Sequence, residues 1–154
     1  FNNITECDEM SVKEIDKIPY VCLEKDNVPT ATVIKGGPDK VAPDNGILDF
    51  NALSPVAVDG KSYPIVTIAK SAFSNNGNIK ELRLSDDIKT IEDHGFYNCT
   101  NLNKIVFSSQ NVLTSIGESA FENNSSLIDL PVFINSKYFR YSKSSLFKHL
   151  TIFR

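Results

Sequence analysis

Three segments of the chain, IVTIAKSAFSNNGNIKELRL (65–84), IKTIEDHGFYNCTNLNKIVF (88–107) and LTSIGESAFENNSSLIDLPV (113–132), decide the fold. Set over one another, they keep one residue class at seven positions. Ile65, Ile88 and Leu113 coincide, then Ile68, Ile91 and Ile116, then Ala72, Gly95 and Ala120. Phe73, Phe96 and Phe121 follow, 23 and 25 residues apart. The register holds through Ile79, Leu102 and Leu127, through Leu82, Ile105 and Leu130, and ends on Leu84, Phe107 and Val132. A recurrence of this kind at a period of 20–50 residues marks a repeat architecture, in which each unit buries its apolar edge only against its neighbours.

Within each copy, IKELRL, LNKIVF and LIDLPV read L-x-x-L-x-L, and their last apolar residues alternate with one outward residue, as in a half-buried strand. The I-x-x-x-A/G-F segment places a small residue beside a large ring. The ring fills the interior and the small residue lets neighbouring copies approach. The expected core is therefore Ile68, Phe73, Leu82, Ile91, Phe96, Ile105, Ile116, Phe121 and Leu130. The period and the sub-pattern fit a leucine-rich repeat. SIGESAFENNSSLIDL and TIAKSAFSNNGNIKEL further resemble the BspA-like, or treponemal-type, leucine-rich repeats, with a pattern near IGxxAFxxCxxLxxIxIP. Cys99 stands at the cysteine of that pattern, where the other copies carry Asn76 and Asn124, and Pro131 falls at or next to its strand-end proline. The second copy departs from the pattern with Glu92 for glycine and Gly95 for alanine. The resemblance implies an α/β-type, β-rich, right-handed repeat solenoid and a role in adhesion to host or matrix proteins or to other cells.

Read alone, IEDHGFYNC (91–99) suggests chemistry, because Glu92, Asp93, His94 and Cys99 supply the acid, imidazole and thiol of a cysteine-dependent hydrolase. In register, Glu92-Asp93-His94 align with Ala69-Lys70-Ser71 and Gly117-Glu118-Ser119, variable positions between two inward anchors. The expectation is an exposed loop histidine, a buried Cys99 thiol and no catalytic residues. Asn98-Cys99-Thr100, Asn123-Asn124-Ser125 and Asn124-Ser125-Ser126 match the glycosylation pattern but lie on the repeat's own turn, where asparagine serves the backbone. Asn3-Ile4-Thr5 matches it as well. Gly36-Gly37-Pro38 reads as a turn, without the Lys-Ser/Thr and helix of a phosphate loop.

Before the repeats, PYVCLEKD, TATVIKG and GILDF read as strands and Asp59-Gly60 as a hairpin turn. A turn is expected at Asn27-Val28-Pro29, and Ser11-x-x-Glu14 reads as a capping box opening a short helix that Pro19 stops. Residues 1–62 are expected to form a hairpin-rich N-terminal cap, 63–133 three repeat coils, and 134–154 a C-terminal cap or one degenerate coil with Phe147 replacing the repeat phenylalanine. The stretch before the first repeat also looks like the leader preceding the first repeat in bacterial members of the family. In the tail, Leu146, Leu150 and Phe153 lie at helical spacing among five Lys/Arg and no acid, which allows contact with a membrane or an acidic partner.

The whole chain holds 16 Lys and Arg against 19 Asp and Glu, a net charge of −3, which argues against nucleic-acid binding. No apolar run reaches a membrane span. The chain begins at Phe1, consistent with a removed signal peptide. Its three cysteines allow one Cys7–Cys22 disulfide or three free thiols, and no metal or cofactor signature is present. Stacked strands would bring three outward rows together about 4.8 Å apart: Glu81, Lys104 and Asp129, then Arg83, Val106 and Pro131, then Ser85, Ser108 and Phe133. The first row reads as a cross-strand charge ladder or as the centre of a binding face. The expectation is an extracellular or cell-surface module that takes a protein or glycan partner, such as a host matrix protein, on this face. A structural spacer within a larger surface protein is the alternative.

Overall fold

The structure, a computed structural model, describes residues 12–15, 18–36, 45–107 and 113–127. Two sheets carry the repeats. The strand expected from L-x-x-L-x-L is β8 (Glu81–Leu84) in the first copy and β10 (Lys104–Phe107) in the second. They pair in parallel, with Glu81 opposite Lys104 and Leu82 opposite Ile105. Leu82, Leu84 and Ile105 are buried while Glu81 and Arg83 are half-exposed, so the alternation follows the pleat.

A second parallel sheet comes from the segment before each phenylalanine. β7 (Ile65–Ile68), β9 (Thr90–Ile91) and β11 (Ser115–Ile116) pair side by side, with Ile68 opposite Ile91 and Ile91 opposite Ile116. The chain thus passes from one sheet to the other and back in the first two copies. The passage begins before residue 63. β3 (Val28–Val33) pairs in parallel with β7, and β4 (Ile47–Asp49) pairs in parallel with β8, Leu48 opposite Leu82. Among the described residues the sheet orders are β1-β2-β3-β7-β9-β11 and β10-β8-β4, where β1 is Val12–Ile15 and β2 is Ile18–Lys25. A hairpin of β5 (Val56–Val58) and β6 (Lys61–Tyr63) closes on Asp59-Gly60.

After its first strand each copy turns on two left-handed residues. Ser71, His94 and Ser119 have φ of 58°, 58° and 55°, and Asn75, Asn98 and Asn123 have 62°, 57° and 64°. Asparagine tolerates this region better than most residues. The turns bond copy to copy: Ser71, Phe73 and Asn75 donate to the carbonyls of Asp93, Gly95 and Tyr97, and His94, Phe96 and Asn98 donate to those of Glu118, Ala120 and Glu122. Inside them, Phe73, Phe96 and Phe121 stack nearly parallel, with centroids 5.2 and 5.4 Å apart. Phe50 meets Phe73 edge-on at 6.3 Å. Ile68, Leu82, Ile91, Phe96, Ile116 and Phe121 are all buried to 1% exposure or less. Leu130 lies outside the described residues.

Two local expectations give way. Val12–Ile15 is not helical but a strand antiparallel to β2, with Val12 opposite Val21 and Ile15 opposite Ile18. β-branched residues pairing with a neighbouring strand outweigh a capping signal. The turn between β2 and β3 is Asp26-Asn27, at φ of 53° and 64°, and Pro29 sits inside the strand opposite Glu24. The only α-helix among the described residues is α1 (Phe50–Leu53), capped by the Asp49 carboxylate, so their content is strand-rich, in keeping with a β-rich repeat fold. Cys22 is disulfide-bonded; Cys7 lies outside the described residues, as does the tail from 134 onward.

Candidate functional site

The outward residues of the three-stranded sheet form the candidate face. Pairing of β4 with β8 adds a strand that the sequence reading left in the cap. The rows become Ile47, Glu81, Lys104 and Asp49, Arg83, Val106. Lys104 is exposed and the others are half-buried. Ser108, Asp129, Pro131 and Phe133 lie outside the described residues.

Among the described residues the charges do not pair along the row. Glu81 takes the Nε of Arg83 in its own strand, and Arg83 Nη1 lies 3.7 Å from Asp49 Oδ2 across the strands. Among the described residues no ion pair joins Glu81 to Lys104. The hydrogen bond to Glu81, followed by the Glu81 and Asp49 charges, holds the guanidinium more firmly protonated. Asp49 is fixed in turn by its cap, Oδ1 accepting from Asn51 N at 2.9 Å. Ser85 leaves the face altogether. It is 7% exposed, because the strand ends at Leu84 and Ser85 opens the next turn, its Oγ accepting from Asp87 N at 3.4 Å. Beside the rows opens a cleft of about 260 Å³ between Ile47, Asp49, Leu53 and Arg83.

IEDHGFYNC has no nucleophile geometry. His94 occupies a left-handed turn position, half-exposed, its ring edge-on to Tyr97 at 5.2 Å. Cys99 is fully buried and its thiol donates to the Phe73 carbonyl at 3.1 Å, toward the neighbouring copy. Burial pushes this thiol from an ordinary 9.0 up to about 12. A reactive cysteine needs the opposite shift and access. Because the native thiol keeps its proton where the unfolded one loses it, its contribution to stability is complete below pH 9 and is lost as pH rises from 9.0 towards about 12. A thiol reagent at pH 8 should leave the Cys99 peptide unlabelled in the native chain and label it once denaturant unfolds the chain, read by peptide mass mapping. Labelling of the native chain at the unfolded rate would contradict this burial.

The turn asparagines are likewise structural. Asn98 Nδ2 donates to Asn75 Oδ1 at 2.8 Å, and Asn124 is fully buried. Among the described residues no group of three or more His, Cys, Asp or Glu is placed to hold a metal, and no helix is long and apolar enough to cross a membrane.

The family described as BspA type leucine rich repeat region (6 copies) matches residues 61–152, more than half of the chain. The chain belongs to this family. The match runs past residue 133 into the basic tail. A leucine-rich repeat protein from Bacteroides capillosus is similar at a TM-score of 0.69 and 19% identity, over 91% of this chain and 94% of its own. A leucine rich cell surface protein from Faecalibacterium prausnitzii is similar at 0.62 and 24% identity, over 79% of this chain and 30% of its own. The pneumococcal vaccine antigen PcpA is similar at 0.55 and 18% identity, over 89% of this chain and 39% of its own. The chain therefore spans less than a third of the Faecalibacterium protein. At these identities the likeness is one of fold, and it indicates no catalytic family. Comparison with curated proteins gave no match.

Proposed function

We propose that the chain is a non-catalytic interaction module of a cell-surface or secreted protein, adhering to a protein or glycan partner through the three-stranded sheet. The observation that carries this reading is the in-register face itself. Ile47, Glu81 and Lys104 lie beside Asp49, Arg83 and Val106 on consecutive parallel strands, with an ion-paired arginine at the centre and a free lysine ammonium, among the described residues, at one side. Repeat proteins use extended faces of this kind because neighbouring units present equivalent positions side by side. In this reading the chain winds as a right-handed solenoid, with residues 1–62 covering its first coil, 63–133 forming three coils and 134–154 closing the other end. Two of the structurally similar proteins, a cell surface protein and a vaccine antigen, support the location.

The test is capture of immobilised extracellular matrix proteins and glycans by the wild-type chain and by a Glu81→Lys, Arg83→Glu, Lys104→Glu variant. The variant is expected to lose capture and to melt within a few degrees of wild type, since exposed ion pairs stabilise little. Undiminished capture by the variant would remove the face from the binding mechanism. No capture by the wild type, with capture by a longer chain, would favour a spacer.

A further inference from the structure

The stretch Ile91-Glu92-Asp93 builds a second feature, on the opposite sheet, that the strand-face reading leaves unused. Across the six-stranded sheet the hydroxyl residues Thr32, Thr67, Thr90 and Ser115 stand in register on four consecutive parallel strands. They are half-exposed, while Ile68, Ile91 and Ile116 beside them are buried, so this row faces outward. Immediately after β9 comes the exposed Glu92, where the family pattern has glycine and where the third copy has Gly117. That glycine is required here, because a Cβ on it would collide with the Asp93 carboxylate and backbone. Its absence lets Asp93 fold across the sheet, where Oδ1 accepts from Glu118 N at 2.8 Å. Glu92 Oε1 accepts from Lys70 N at 3.1 Å.

The result is an open groove of about 370 Å³ between Lys70, Thr90, Glu92, Asp93 and Ser115. Among the described residues, each carboxylate is held by one oxygen and keeps the other free. The hydroxyls of Thr90 and Ser115 and the ammonium of Lys70 have no partner there either. The size lies within the range of small-ligand sites. Its lining offers strong acceptors, one strong donor and two groups that do both. It has no aromatic residue, and its one aliphatic residue, Ile91, is fully buried and offers no anchor of the kind that dominates protein interfaces. Two carboxylates against one ammonium repel an anion, and there are too few acidic and histidine ligands for a metal cluster.

We propose that this groove binds a neutral saccharide. The sugar hydroxyls would donate to the free oxygens of Glu92 and Asp93 and accept from Lys70, and the Thr90 and Ser115 hydroxyls would complete the network. A hydroxyl-rich ligand is both donor and acceptor at every position, which matches a lining of mixed sign. The site is separate from the strand face, so either can fail without the other.

The experiment is saturation-transfer NMR on the whole chain with millimolar methyl glycosides of mannose, galactose, glucose and N-acetylglucosamine and their β-linked disaccharides, and with an oligolysine peptide as the competing occupant. Transfer to at least one sugar is expected. Glu92→Gln and Thr90→Val should each weaken it by about tenfold, as loss of one hydrogen bond to a charged or well-placed group does, with the melting temperature unchanged. The amide oxygen introduced by Glu92→Gln keeps an acceptor for Lys70 N, so the fold is spared. The strand-face triple variant should keep full sugar binding. No transfer to any sugar, transfer that both substitutions leave unchanged, or binding of oligolysine alone would overturn the proposal.

Discussion

Phe96→Ala should lower the unfolding free energy by about 3–5 kcal/mol, the range for deleting a buried aromatic ring. The ring is fully buried and lies between two others, Phe73 at 5.2 Å and Phe121 at 5.4 Å, both within 8° of parallel. Its removal opens a void that two neighbours line, and each is fixed by its own copy's backbone ladder. The Phe96 amide donates to the Ala120 carbonyl and its copy is bonded on both sides, so the backbone has little freedom to collapse into the space. For a chain of this size the melting temperature should fall by roughly 6–20 °C. Urea unfolding of Phe96→Ala and of Tyr97→Ala, the adjacent half-exposed ring, checks the assignment. A loss below about 1 kcal/mol at Phe96 would mean that the copies do not share a continuous interior. Phe73 and Phe96 contribute to the same stack, so their alanine variants should be less than additive.

The stack was legible in the sequence because an inward position tolerates one class of residue, and three copies restate it. What recurs only weakly was harder to see. β9 and β11 are two residues long, too short for a period of two to register, yet Ile88-Lys-Thr-Ile91 and Leu113-Thr-Ser-Ile116 carry the apolar ends and hydroxyl residues that mark the second sheet. The strand β4 is legible in GILDF, but its place beside β8 is not, for a different reason. A hairpin and β7 separate it from β8, although Ile47-Leu48-Asp49-Phe50 has the same x-apolar-x-apolar form as Glu81-Leu82-Arg83-Leu84 and Lys104-Ile105-Val106-Phe107. Ser85 was placed on the face by carrying the alternation one residue past the strand's end. The Glu81–Lys104 step of the ladder is unpaired among the described residues, because sequence gives register and sign but not reach. Arg83 is long enough to engage Glu81 two residues away and Asp49 on the next strand, and the direct route from Glu81 to Lys104 is left unused.

Asn124→Leu tests the other device that joins the copies. Asn124 has no exposed surface, and its side chain serves two backbone groups of the second copy. Oδ1 accepts from Cys99 N at 2.7 Å and Nδ2 donates to the Phe96 carbonyl at 3.1 Å. Cys99 makes the equivalent contact one copy earlier, its thiol donating to the Phe73 carbonyl. At this position of the second and third copies the side chain is therefore a buried donor to the preceding copy's phenylalanine carbonyl, and Asn124 adds an acceptor. Leucine has the same branched outline as asparagine, with bulkier methyl ends, but can serve neither group. Each buried polar group left without a partner costs about 1–3 kcal/mol, so the substitution should cost about 2–6 kcal/mol in urea unfolding. Native-state hydrogen exchange separates this cause from a packing defect. The Cys99 amide, protected in the wild type by Asn124, should exchange faster in the variant than the global loss of stability alone dictates. Asn123→Gly, at the neighbouring left-handed position with φ of 64°, should stay close to wild type, because glycine accepts that backbone freely. A Cys99 amide whose protection falls only in step with global stability would show that the asparagine acts through volume and not through its two hydrogen bonds.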